Sequence, residues 1–179
     1  MIQKLLAILV SVTALMGARA YADTAAQINT HANAALNRFV LNVKGAKKYL
    51  NAAKGILIIP EVKQAGLVVG GEYGEGCLRI GGKTSGYFSI ISGSVGLQAG
   101  VQLKDIVLIF MSESALKKFN TSDNWQAGAD GTVTLINEGE ENSIDTTKFN
   151  HPIVGFVFGQ KGLMAGAMIE GSKFTRIKK

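Results

Sequence analysis

Glycines set inside apolar runs, rather than gathered between them, govern what this chain can fold into. Gly66-Leu-Val-Val-Gly-Gly71 and Gly93-Ser-Val-Gly-Leu-Gln-Ala-Gly100 place glycine within stretches that otherwise read as strand. In a strand, glycine marks a bulge, a sharp bend, or a point where another backbone comes close. The chain holds 22 glycines in 179 residues and only two prolines, against an ordinary glycine share of about 7%. That combination predicts a strongly curved antiparallel sheet, barrel- or sandwich-like.

The apolar period changes at Gly55. Before it, Ala25, Ile28, Ala32, Leu36, Phe39, Val43, Ala46, Leu50 and Ala53 recur at helical spacing, and Thr30, Asn33, Asn37, Lys44, Lys48 and Asn51 lie opposite. Gly45 bends or divides this helix, Gly55 caps it, and Lys44, Lys47, Lys48 and Lys54 suit the negative end of its dipole. After Gly55 the period is two. Ile56 to Ile59 reads as a buried strand stopped by Pro60. Val95, Leu97, Ala99, Val101 and Leu103 read as the buried side of a half-buried strand, and Ile106 to Met111 as a central strand apolar on both faces. Ser112 to Phe119 is a short serine-capped helix. Asn120 to Gly131 is a polar loop around Trp125. Further strands are expected at Thr132–Ile136, Ile153–Phe158, Leu163–Ile169 and Phe174–Ile177, with a solvated acidic loop from Glu138 to Asp145. One helix followed by many strands is an α+β pattern: an amino-terminal amphipathic helix, within 23–54, packed on a curved glycine-rich sheet spanning 55–179.

Residues 1–22 read as a signal peptide. Lys4 precedes an apolar run from Leu5 to Met16, and the small-residue exits Ala18-Arg-Ala20 and Ala20-Tyr-Ala22 follow. The run is shorter than the roughly 20 residues that span a bilayer. Cleavage after Ala22, preferred to the alternative after Ala20, leaves one domain, 23–179, that is exported: periplasmic or secreted, or peripheral at the membrane. Loss of Lys4 and Arg19 leaves 17 basic against 13 acidic residues, lowering the formal charge from +6 to +4. That balance favours an anionic surface but is too scattered for nucleic acid. Cys77 is the only cysteine, so no intramolecular disulfide forms and stability rests on packing.

No catalytic constellation, metal set or cofactor motif stands out, and the chain reads as a non-enzyme. His31 and His151 lack a second nitrogen or sulfur ligand at metal spacing, and Cys77 sits in an alternating strand as a packed thiol. Gly81-Gly82-Lys83-Thr84 imitates the end of a phosphate-binding loop. The glycine that motif requires earlier would fall at Cys77, and no helix pattern follows Thr84. Gly71-Glu72-Tyr73-Gly74-Glu75-Gly76 reads as a glycine-rich hairpin whose acids face water; two carboxylates are too few for a hard metal.

Ile56-Leu-Ile-Ile-Pro60, Lys63-Gln-Ala-Gly66, Gly70-Gly-Glu-Tyr-Gly-Glu-Gly76, Ser94-Val-Gly-Leu-Gln-Ala-Gly100 and Phe156-Val-Phe-Gly-Gln-Lys-Gly-Leu-Met-Ala-Gly166 resemble the SYLF domain in its bacterial form. The likeness runs from about Asp23 to the carboxy terminus. It implies a lipid-binding module without catalysis; eukaryotic relatives bind phosphoinositides, partly through an amino-terminal amphipathic helix, and some bind actin filaments. The SH3 and FYVE partners of those relatives are absent here, and an actin-binding name comes only with the family. Lipid binding by this chain would set Arg38, Lys44, Lys47, Lys48 and Lys54 against anionic phospholipid head groups, with Phe39, Val43 and Leu50 inserting or packing. Two other readings stay open: the stripe is ordinary core with solvated lysines, or the chain is a structural, protein-interaction domain of the cell envelope with no lipid ligand.

Overall fold

The computed structural model describes residues 22–66, 69–95, 102–136, 148–159, 162–164 and 167–179. The proposed leader except Ala22, the acidic segment 138–145 and the middle of the stretch read as strand from Val95 to Leu103 lie outside the described residues.

Thr24 starts the first helix, α1 (Ala25–Asn42). Its hydroxyl accepts the Gln27 N–H at 3.2 Å, and the Gln27 side chain accepts the Thr24 N–H at 2.8 Å, so two otherwise orphaned donors are satisfied together. Ile28, Ala32, Ala35 and Phe39 form its buried stripe. Gly45 lies in the left-handed region at φ 81°, and a second helix, α2 (Ala46–Ala52), begins after it. Of the two roles open to Gly45, division is the one observed.

The strands are β1 (Gly55–Gly66), β2 (Val69–Ile80), β3 (Lys83–Val95) and β4 (Gln102–Phe110). After them come α3 (Glu113–Asn120), β5 (Asn124–Gln126), β6 (Thr134–Leu135), β7 (Ile153–Gly159), β8 (Gly162–Leu163) and β9 (Lys173–Ile177). They form one sheet in the order β5-β9-β3-β2-β1-β4-β7-β6, with β8 also on β7. Its pairs are antiparallel except β6 with β7. The sheet curls into a half-barrel beside the helix, as the glycine pattern and the α+β reading predict.

Both faces of the sheet are covered, which explains the doubly apolar strand β4. Val107 and Ile109 join Ile58, Cys77, Val154, Phe156 and Phe158 beneath α1 and α2. Ile106, Leu108 and Phe110 join Leu57, Ile59, Leu78, Phe88 and Ile90 on the other face, beneath Leu116 and Phe119 of α3. Each large apolar side chain so enclosed stabilises the fold by about 1.5–3 kcal/mol. Ser112 caps α3 by accepting the Ala115 N–H at 3.2 Å.

Four expectations need correction. Pro60 does not stop β1: the strand runs on through a slip in register between Ile59 and Val62, where Glu61 adopts φ 50°. A bulge is one of the few sheet positions that tolerates a residue with no N–H. The segment around Trp125 is not simply a polar loop, because β5 pairs with β9 and Trp125 is buried against Phe119 and Phe174. The strand expected at Leu163–Ile169 is met only at Leu163, the second residue of β8, and Ala167–Ile169 is irregular. Leu103, assigned to the buried side of its strand, is 57% exposed.

Close approach decides which glycines the curl requires. A Cβ at Gly76 would lie 1.9 Å from the Ile58 carbonyl oxygen, whereas one at Gly93 meets nothing within 4 Å. Chemical denaturation should therefore show Gly76→Ala losing roughly 3 kcal/mol or more, because backbone must move. Gly93→Ala should be neutral or stabilising by up to about 1 kcal/mol.

Candidate functional site

The residues singled out for lipid contact separate into three environments. Phe39 is fully buried, its ring 4.8 Å from Phe156 and 5.4 Å from Phe158. It packs; it does not face a surface that lipid could reach while the fold is intact. Val43 is buried with it, and Leu50 is half-buried at the edge of the same cluster.

Arg38 is a tie between helix and sheet. Its Nε donates to Asp105 Oδ2 at 2.7 Å and its Nη2 to Oδ1 at 3.0 Å. Asp105 is buried on β4 and also accepts the Glu61 N–H at 3.0 Å. The hydrogen bond to Asp105 raises the Arg38 pKa further above its ordinary value, outweighing the opposing cost of desolvation. One carboxylate thereby fixes α1, the bulge in β1 and β4 relative to one another.

Lys44, Lys47 and Lys48 are brought together. The left-handed Gly45 separates α1 from α2, and all three lysines are exposed around a shallow hollow of about 500 Å³. The same hollow is lined by Leu41, which is 81% exposed. Leu41 lies off the periodic apolar stripe, so a search for the stripe passes over it; its departure from that period, just before a lysine cluster, is the available sequence signal. Lys54 is exposed but stands apart beyond α2, where its N–H bonds the Phe110 carbonyl at 2.8 Å.

The acidic glycine segment lies within β2, not in a hairpin, and its acids do not simply face water. Glu72 is buried on the α3 side, with Lys104 Nζ at 2.6 Å and the Ser92 hydroxyl donating at 3.0 Å. Glu75 accepts from the Tyr73 hydroxyl at 2.7 Å and from Lys179 at 2.6 Å. His31 lies 3.7 Å from Asp23 and 3.8 Å from Glu61. Among the described residues no cluster of histidine, cysteine and acid could hold a metal. Cys77 is buried beneath α1, and burial raises its thiol pKa. Gly81 and Gly82 make the tight turn between β2 and β3 at φ 57° and 78°, with strand following, which removes the phosphate-loop imitation.

Residues 91–179 match the family model Ysc84, described as a Las17-binding protein actin regulator. That stretch, about half of the chain, resembles the Ysc84 (SYLF) family. The SYLF family is linked to actin and lipid binding. Beta cell expansion factor A of Aeromonas veronii is 28% identical over 149 residues, 82% of this chain and 55% of that protein. The chain thus spans about half the length of this curated relative. The lysine hollow precedes the SYLF stretch matched by the family model. No helix among the described residues is long and apolar enough to cross a membrane.

Removing Arg38 would leave Asp105 buried and unpaired. Arg38→Met should cost roughly 2–3 kcal/mol in urea unfolding, and adding Asp105→Asn, which removes the buried charge but keeps an acceptor for the Glu61 N–H, should restore part of the loss. Tyr73 offers a pH readout: although the residue is 46% exposed, desolvation of the part that is covered, then the bond to Glu75, pushes its phenol up to about 12 from 10.0. Because the folded pKa is the higher one, this contribution to stability is complete below pH 10 and drains away as pH rises towards 12. Ultraviolet titration should show a phenol ionising near 12 that is missing in Tyr73→Phe.

Proposed function

We propose that this domain binds the anionic phospholipid surface of the bacterial cell envelope, without catalysis, at the corner where α1 meets α2. The observation that carries the reading is Leu41, 81% exposed beside Lys44, Lys47 and Lys48. An apolar side chain that enters the interface while neighbouring ammonium groups meet phosphate is the chemistry of peripheral membrane attachment. Each lysine near an anionic bilayer contributes on the order of 1 kcal/mol, and burying a leucine about 1.5–3 kcal/mol. Binding is then weak and salt-sensitive. Export through the amino-terminal leader brings the domain to envelope phospholipids rather than to cytosolic phosphoinositides or actin. The family's link to lipid supports this reading, and the whole activity of its longer relatives is not needed for it.

The folded core narrows the contact. Phe39 and Arg38 are already committed within the domain, so binding uses the corner of an intact fold rather than the inner stripe of a detached helix. Flotation with phosphatidylglycerol vesicles should show association at low salt that disappears at high salt and on pure phosphatidylcholine. Lys44→Glu/Lys47→Glu/Lys48→Glu should abolish it, and Leu41→Ser should weaken it about tenfold or more. Failure of the wild-type protein to float with anionic vesicles, or equal flotation of the charge-reversed variant, defeats the reading. A protein partner captured in its place by cross-linking would favour the interaction-domain alternative.

A further inference from the structure

Five large apolar side chains are exposed among the described residues, and three of them fall in one line across the sheet. Tyr73 is 46% exposed, Ile91 56% and Leu103 57%. In register, Leu103 of β4 stands opposite Lys63 of β1, Lys63 opposite Tyr73 of β2, Tyr73 opposite Ile91 of β3, and Ile91 opposite Lys173 of β9. Directly paired residues of antiparallel strands share a face, so Leu103, Lys63, Tyr73, Ile91 and Lys173 form one strip. It crosses five strands, about 19 Å at the usual strand spacing.

The strip lies on the same face as α1 but outside its cover. Tyr73 borders a hollow shared with His31, and Leu103 borders another shared with Arg38. Two residues further along β2 and β3 on this face are the paired glycines Gly71 and Gly93, both exposed. A Cβ at Gly93 would meet nothing, and one at Gly71 only the Ser92 carbonyl oxygen at 3.8 Å. Neither glycine is needed for packing within the domain. Together they leave bare backbone beside the apolar residues.

We infer that this strip is a second lipid-contacting surface, through which Tyr73, Ile91 and Leu103 meet the interface of an anionic phospholipid bilayer while Lys63 and Lys173 meet its phosphates. The inference rests on the membrane reading given above and assigns that membrane a second part of the domain. Alternation is what commits the occupant: apolar, basic, aromatic, apolar and basic side chains in one line match the mixed apolar and anionic character of a lipid interface. One of the nearby acids is engaged. Glu75 is shared between the Tyr73 hydroxyl and Lys179, while Asp23 and Glu61 flank the strip with carboxylates within 4 Å of His31.

The test compares two sets of substitutions on phosphatidylglycerol vesicles. Tyr73→Ser/Ile91→Ser/Leu103→Ser, with the lysine hollow intact, should bind at least tenfold more weakly than wild type. Lys63→Glu/Lys173→Glu should bind more weakly and lose part of the salt dependence. Because the triple variant exposes new polar surface in a sheet, a single-site probe accompanies it. Ile91→Cys in a Cys77→Ser background, carrying an environment-sensitive fluorophore, should shift to the blue on adding anionic vesicles but not on adding phosphatidylcholine. If wild type binds, the lysine-hollow variants fail to bind, and neither strip variants nor probe respond, the strip is refuted while the membrane reading stands. If wild type does not bind vesicles, both fall. A probe already shielded in lipid-free protein that sediments as a dimer overturns the inference in favour of a second copy on this face.

Discussion

The bulge in β1 sets the shape on which everything else rests. Between Ile59 and Val62 the register slips, and Glu61 takes a left-handed conformation that costs a non-glycine residue about 1–2 kcal/mol. Two neighbours make this possible. Gly74 and Gly76 on β2 leave room where a Cβ would strike the side chains of Ile59 and Val62 or the carbonyl of Ile58. Asp105 on β4 accepts the Glu61 N–H that the slip removes from the ladder, and the same carboxylate holds Arg38. Curl, bulge and helix placement are therefore one coupled arrangement. Side chains at either glycine would force β1 and β2 apart.

From that arrangement follows a division of labour between the faces of the sheet. Beneath α1, the rings of Phe39, Tyr49 and Phe156 pack edge to face, and the helix cannot release its inner stripe without opening that cluster. Beneath α3, Phe119 touches Phe88, Phe110, Trp125 and Phe174. The basic corner at Gly45 and the strip at the end of β1–β4 lie where these covers stop. Surface chemistry in this domain is found at the margins of its packing, which keeps any contact with lipid from drawing on the core.

Much of the fold was legible because its signals are local. The 3.6-residue period identified the buried stripe from Ile28 to Phe39, a serine announced α3, and the doubly apolar run at 106–110 announced a strand covered on both faces. What the sequence hid was non-local. Pro60 looked like a stop because its bulge depends on Gly74, Gly76 and Asp105, residues distant in the chain. Trp125 looked like loop because its partner β9 comes almost fifty residues later. Glu72 looked solvated because the lysine that neutralises it, Lys104, is two strands away. The candidate site shows the same division. Lys44, Lys47 and Lys48 were visible as a charge cluster, but Arg38 and Phe39 carried the right residue types in positions that tertiary packing claimed. Leu41 and the strip across Leu103, Tyr73 and Ile91 become surfaces only once the helix break and strand register are known.

The single thiol has a further use. Cys77 lies on β2 under α1, with no exposed surface, and nothing else in the chain competes for a thiol reagent. It is a built-in gauge of the seam between helix and sheet. Its rate of modification counts the openings of that seam, and a domain that binds with its helix seated leaves the rate unchanged, while one that binds by lifting the helix speeds it. The residue that looked least informative in the sequence is thus the natural clock for the motion that the packing forbids.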